Sequence, residues 1–213
     1  LVERRASTPL VDFALLARVR VYPGLITAFL ASVIMMSFTV IPPFYLSRGL
    51  ELDAGQVGLA MAVGPTVAIL SGVPAGRLVE RFGPRPIFVT GLTFLSAASL
   101  AFTVLPRALG LAGFFISAVM LTPGNQMFMA ANNTNVMAKS GIAHQGSVAG
   151  ILSLYRNLGS ITGVAVAAAL FDSAVERVPG TGGATLGLQL SFGIAAVMGV
   201  LALIIAFTTD RRG

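Results

Sequence analysis

Gly76-Arg77-Leu78-Val79-Glu80-Arg81-Phe82-Gly83-Pro84-Arg85-Pro86 separates two apolar stretches of this chain, 55–76 and 86–105. Each stretch is about 20 residues long, which as a helix rising 1.5 Å per residue spans the ~30 Å hydrocarbon layer of a bilayer. Three arginines and a glutamate between them cannot rest in that layer, so the chain crosses, turns in water and crosses back. Gly83-Pro84 supplies the turn, since glycine reaches backbone angles closed to other residues and proline fixes its own φ. A single crossing segment satisfies its backbone hydrogen bonds internally only as a helix. The segment therefore predicts antiparallel transmembrane helices.

Outward from this hairpin the same reading applies to 22–46, 109–136, 147–171 and 186–208. The expected fold class is all-α membrane, a six-transmembrane-helix bundle. Composition agrees: the 213 residues are 55% hydrophobic and 10% charged, with mean hydropathy +0.87, where soluble domains carry roughly 25% charged residues. The bundle is expected over 22–208, with a cytoplasmic or interfacial segment at 1–21 and a cytoplasmic tail at 209–213. In the first segment Leu10, Phe13, Leu16 and Ala17 share a helical face, with Arg18 and Arg20 as interfacial anchors. Pro106-Arg107-Ala108 predicts a tight turn between the third and fourth spans, and residues 178–184 a flexible outer loop. Phe44 and Tyr45, at the outer end of the first span, fit an interfacial aromatic belt.

Fourteen Lys and Arg against eight Asp and Glu give a net charge of +6. Ten of the fourteen, Arg4, Arg5, Arg18, Arg20, Arg77, Arg81, Arg85, Lys139, Arg211 and Arg212, fall on one side of a six-span topology. Arg48, Arg107 and Arg177 fall on the other. Basic loops stay in the cytoplasm, so both ends of the segment are expected inside, and the charge reports topology rather than nucleic-acid binding. No cysteine and a single histidine, His144, argue against metal clusters and thiol chemistry, and no cofactor is expected. Intramembrane hydrolysis would need a nucleophile with its base, and the histidine lies outside the spans, so no enzyme is expected. Abundant Arg, Ala and Gly beside one lysine suggest a bacterial genome, hence the bacterial cytoplasmic membrane.

Polar residues inside spans are the candidate functional set. Arg156 lies about three turns into the fifth span, where a charge costs at least ~2.5 kcal/mol on insertion scales. Ser153 and Ser160 share its helical face and Asn157 adjoins it. This stripe either lines a translocation cavity, or Arg156 snorkels and pairs with carbonyls. In the fourth span Thr122, Asn125, Gln126, Met129, Asn132 and Asn133 recur at three- and four-residue steps, and Pro123-Gly124 predicts a break in the helix. These amides either line a midplane site or bond neighbouring helices. Gly159 with Gly163, Gly146 with Gly150 and Gly72 with Gly76 are small-xxx-small pairs suited to close helix approach. No span centre carries a carboxylate.

The segment Gly76–Pro86 resembles the cytoplasmic signature of the major facilitator superfamily, with Gly76, Glu80, Arg81, Gly83 and Arg85 matching position by position. Glu80 stands where aspartate is usual, and Pro84 takes the first of two trailing basic positions. The fifth-span pattern Gly146…Gly150…Arg156-Asn157…Gly159…Gly163 and the opening Glu3-Arg4-Arg5…Pro9-Leu10 resemble the last six helices of the fourteen-helix drug:proton antiporter branch. The resemblance implies one half of a transporter that rocks between two access states, with Gly76, Glu80, Arg81, Gly83 and Arg85 as a conformational latch. It implies proton-coupled export of small amphipathic compounds, a small-molecule substrate and a missing N-terminal half as partner. The Leu1 start is expected to mark a piece of a longer chain. Two alternatives stand beside this: a self-assembling half-transporter, and a membrane scaffold subunit in which Arg156 and the amides are interhelix glue.

Overall fold

The structure, a computed structural model, describes residues 21–140 and 144–210. The expected amphipathic stretch at 9–20 and residues 211–213 lie outside the described residues. Among the described residues seven α-helices form six rods: α1 (Tyr22–Phe44), α2 (Ala54–Met61) continued by α3 (Val63–Phe82), α4 (Pro84–Leu109), α5 (Leu111–Ser140), α6 (Gln145–Arg177) and α7 (Thr181–Asp210). No strand occurs among the described residues. Five rods are long and apolar enough to cross a membrane by length and composition. The sixth, α5, has the length, but its amides lower its hydropathy.

α3, α4, α5, α6 and α7 overrun their apolar runs by about one turn or more at one end or both, because charge does not stop a helix while backbone geometry does. Arg77, Glu80 and Arg81 are thus helical, and α3 ends at Gly83, whose φ of +85° starts the turn into Pro84. Pro106-Arg107-Ala108 likewise stays helical; Gly110, at φ +57°, makes the turn instead. The outer loop expected at 178–184 shrinks to 178–180, since α7 begins at Thr181. Between α2 and α3, Pro65 has no N–H to offer the Met61 carbonyl, and the rod is interrupted there. Pro42 and Pro43 remove two successive donors near the end of α1, which continues as a π-helical turn over Tyr45–Gly49.

α5 is not broken at Pro123-Gly124, contrary to the sequence expectation. Gly124 instead lets α5 lie against α4: a Cβ there would stand 2.6 Å from Phe94 Cβ, and one at Gly91 would stand 2.5 Å from the Phe128 nitrogen. α4 and α5 accordingly pack most extensively, as their short connection requires. The core lies among α1, α4, α5 and α7, where Phe38, Phe102, Phe114 and Phe192 meet, the last pair of rings stacked between Phe102 and Phe192 at 4.2 Å. α3 packs mainly on α5 and barely on α4, while α6 packs on α1 and α7. These two rods flank the core with open faces, on which Ile69 is 78% and Ile161 68% exposed.

Candidate functional site

The polar stripes of α5 and α6 meet at one point. Arg156 Nη2 donates to Asn133 Oδ1. Arg156 sits eleven residues past the start of α6 at Gln145, about 16 Å along the axis at 1.5 Å per residue. It is half-buried, Ser160 likewise, and Ser153 and Asn157 are exposed. The α6 stripe therefore lies on the less covered side of the helix, with Ser153 and Asn157 exposed among the described residues.

The α5 set divides by direction, because six residues at three- and four-residue steps spread over about a third of the helix circumference. Asn133, Met129, Gln126 and Asn125 are half-buried on the flank toward α3 and α6. Gln126 Nε2 donates to the Ala68 carbonyl of α3 at 3.1 Å, and Asn125 Nδ2 lies 3.6 Å from Met129 Sδ. Thr122 and Asn132 do not line an open face. Thr122 is buried and returns its hydroxyl to the Ala118 carbonyl at 3.0 Å. Asn132 is fully buried, with Nδ2 donating to the Gly24 carbonyl of α1 at 3.2 Å and Oδ1 without a partner among the described residues. Asn132 and Gln126 thus bond neighbouring helices, Thr122 bonds only its own, and Asn133 reaches Arg156.

The latch residues gather at one end of the bundle. Gly76, Glu80 and Arg81 occupy the last two turns of α3, Gly83 the turn, and Arg85 the first turn of α4. Glu80 and Arg81 are exposed, and the Arg81 guanidinium lies 5.2 Å from the Phe82 ring centroid. Gly76 makes no close helix approach among the described residues, since a Cβ there meets nothing within 4 Å; the same holds for Gly146 and Gly150. Gly159 and Gly163 do mediate one: a Cβ at Gly159 would stand 2.3 Å from the Phe29 carbonyl oxygen, and one at Gly163 2.8 Å from that of Val33.

Sequence reading missed the opposite end. Tyr45 is buried rather than part of an aromatic belt, and its hydroxyl donates to the Pro106 carbonyl at 2.9 Å. Beside it lies a cavity of about 490 Å³ whose lining includes Leu50, Arg107, Thr181, Thr185 and Gln189. Gln189 also donates to the Thr103 carbonyl at 2.7 Å, joining α7 to α4. A lone glutamine between apolar residues gives no periodic signal.

A bundle of six rods among the described residues, five of them long and apolar enough to cross a membrane, is the architecture of a multi-pass membrane protein. The chain belongs to the Major Facilitator Superfamily, whose family model matches residues 24–213. It is similar to the multidrug efflux pump LfrA of Mycolicibacterium smegmatis, 24% identical over 175 residues, covering 80% of this chain and 34% of that protein. The lincomycin resistance protein LmrB of Listeria monocytogenes is 23% identical over 206 residues, 92% of this chain and 44% of that protein. The chain thus spans between a third and a half of the length of these relatives. Among solved structures, the peptide transporter POT in complex with sulfate superposes with a TM-score of 0.74 at 18% identity, covering 90% of this chain and 37% of that one. The fold is that of this superfamily, and the protein is a multi-pass membrane protein.

Proposed function

We propose that these 213 residues are the C-terminal half of a secondary transporter of the bacterial cytoplasmic membrane that exports small amphipathic compounds in exchange for protons. The carrying observation is the Arg156–Asn133 pair on the open side of the bundle, continued by Ser153, Asn157 and Ser160 on α6 and by Asn125, Gln126 and Met129 on α5. A polar stripe at membrane depth is tolerated where it lines protein or a water-filled cavity. A second bundle facing α3, α5 and α6 would close that cavity, and rocking of the two would alternate its access. The relatives, a multidrug efflux pump and a lincomycin resistance protein, support export as the direction.

In this reading both ends of the segment are cytoplasmic, 1–21 forms the interfacial entry, and Gly76, Glu80, Arg81, Gly83 and Arg85 latch one state. The proton-carrying group belongs to the other half, because no span centre here holds a carboxylate and a guanidinium does not release its proton. The test is extrusion of ethidium from cells, or its uptake into inverted vesicles, holding the full-length transporter. Extrusion should collapse on adding a protonophore. Extrusion that persists without a proton gradient overturns the coupling, and absence of extrusion for a panel of amphipathic dyes overturns export.

A further inference from the structure

Arg156 is a fixed cation in the span of α6 whose observed partner is a neutral amide. Among the described residues it makes the single bond to Asn133 Oδ1 and no ion pair. The acids of the described bundle stand elsewhere in the chain: Glu51 and Asp53 precede α2, Glu80 is in the last turn of α3, Asp172 and Glu176 are near the far end of α6, and Asp210 is the last residue of α7. Asp172 alone is sixteen residues on, about 24 Å along the axis. An amide dipole orients a guanidinium but does not neutralise it, so the charge at this depth lacks the partner that such residues generally find. The guanidinium has five N–H donors in a rigid fork, and a carboxylate takes two in parallel. With Nη2 tied to Asn133, the half-buried guanidinium keeps its remaining donors beside an α6 face that carries Ser153 and Ser160 about one turn to either side in sequence.

We infer that Arg156, oriented by Asn133, is the docking point for a carboxylate on the wall shared by α5 and α6. The inference rests on the transport reading only in taking that wall to face a cavity. The carboxylate has two possible sources, a transported solute or an acidic side chain of the remainder of the transporter. Asn133 is a positioning residue, since it fixes which edge of the fork is presented.

The experiment is phenylglyoxal modification of arginine in membrane vesicles of the full-length transporter, read by mass spectrometry on the peptide containing Arg156. Benzoate and its neutral isostere benzamide are the probes. If solutes supply the carboxylate, benzoate lowers Arg156 modification saturably, about tenfold at ten times its Kd, and benzamide leaves it unchanged. If the protein supplies it, Arg156 is slow to react from the start and becomes reactive when one span acid outside this chain is replaced by its amide. Asn133→Ala should raise the benzoate concentration needed for protection; an unchanged requirement removes Asn133 from the site. Equal modification under every condition overturns the inference. So does an Arg156 that resists reagent in all native samples and reacts only after denaturation. Efflux is not the readout, so efflux surviving with Arg156 unprotected defeats this inference alone, whereas protection without efflux defeats the export reading alone.

Discussion

Arg156 donates from Nη2 to Asn133 Oδ1, tying α6 to α5, two helices that otherwise touch little. The bond therefore does more to orient the guanidinium than to hold the bundle, which coheres through α1, α4, α5 and α7.

Arg156→Leu separates these roles. The substitution removes a charge whose insertion costs at least ~2.5 kcal/mol and, with it, a single hydrogen bond to the half-buried Asn133. Folded yield and Tm of the full-length protein should hold or rise while ethidium efflux is lost. Arg156→Lys keeps the charge but not the planar fork, so efflux should fall to an intermediate level. A leucine variant that loses its fold with its efflux would instead make Arg156 a structural residue.

The α1–α6 interface predicts a stability difference among glycines. At Gly159 an added Cβ would meet the Phe29 carbonyl oxygen at 2.3 Å and Ser32 Cβ at 2.9 Å, both across a helix–helix contact that cannot yield locally. Gly159→Ala should cost about 1–3 kcal/mol, the usual cost of overpacking. Gly193 on α7 has nothing within 4 Å, so Gly193→Ala should gain about 0.5–1 kcal/mol from reduced backbone entropy. Thermal unfolding of the two variants in detergent checks the opposite signs.

Tyr45 anchors the π-helical end of α1 to α4. The Pro106 carbonyl accepts both the Tyr45 hydroxyl and the Gly110 N–H, each at 2.9 Å. Tyr45→Phe keeps the ring in its buried site and removes only the hydroxyl, for an expected loss of about 1 kcal/mol. Hydrogen exchange should rise at 45–50 and at the α4–α5 turn, and stay unchanged at the Gly83 turn.

Hydropathy made the six crossings legible because the cost of leaving backbone or charge unsatisfied in lipid is large and local. Helix ends were less so: Arg77, Glu80 and Arg81 read as loop because they are charged, yet a helix ends on dihedral angles, and only Gly83 changes those. Pro123-Gly124 read as a break, but Gly124 is there for contact with Phe94 and Leu95, a reason that resides in α4 and not in its own neighbours. The same limit governs the amides. Asn132 and Asn133 are adjacent and chemically identical, and only the placement of α1 and α6 sends one to the Gly24 carbonyl in the core and the other to Arg156 on the open side.

Gly76 and Gly83 offer the sharpest test of the latch, since they share a motif and differ in what restrains them. Gly83 has open space around it but φ +85°, so alanine there is strained by backbone alone, at about 1–2 kcal/mol. Gly76 is helical with nothing within 4 Å, so in this chain by itself alanine should be tolerated or stabilising. If Gly76 is kept small because the other half of a transporter presses on it in one state, Gly76→Ala should leave the thermal stability of the full-length protein near wild type and slow efflux. Gly83→Ala should lower both. Measuring Tm and ethidium efflux for the pair decides the matter: a Gly76→Ala protein with wild-type efflux assigns that glycine no part in the latch.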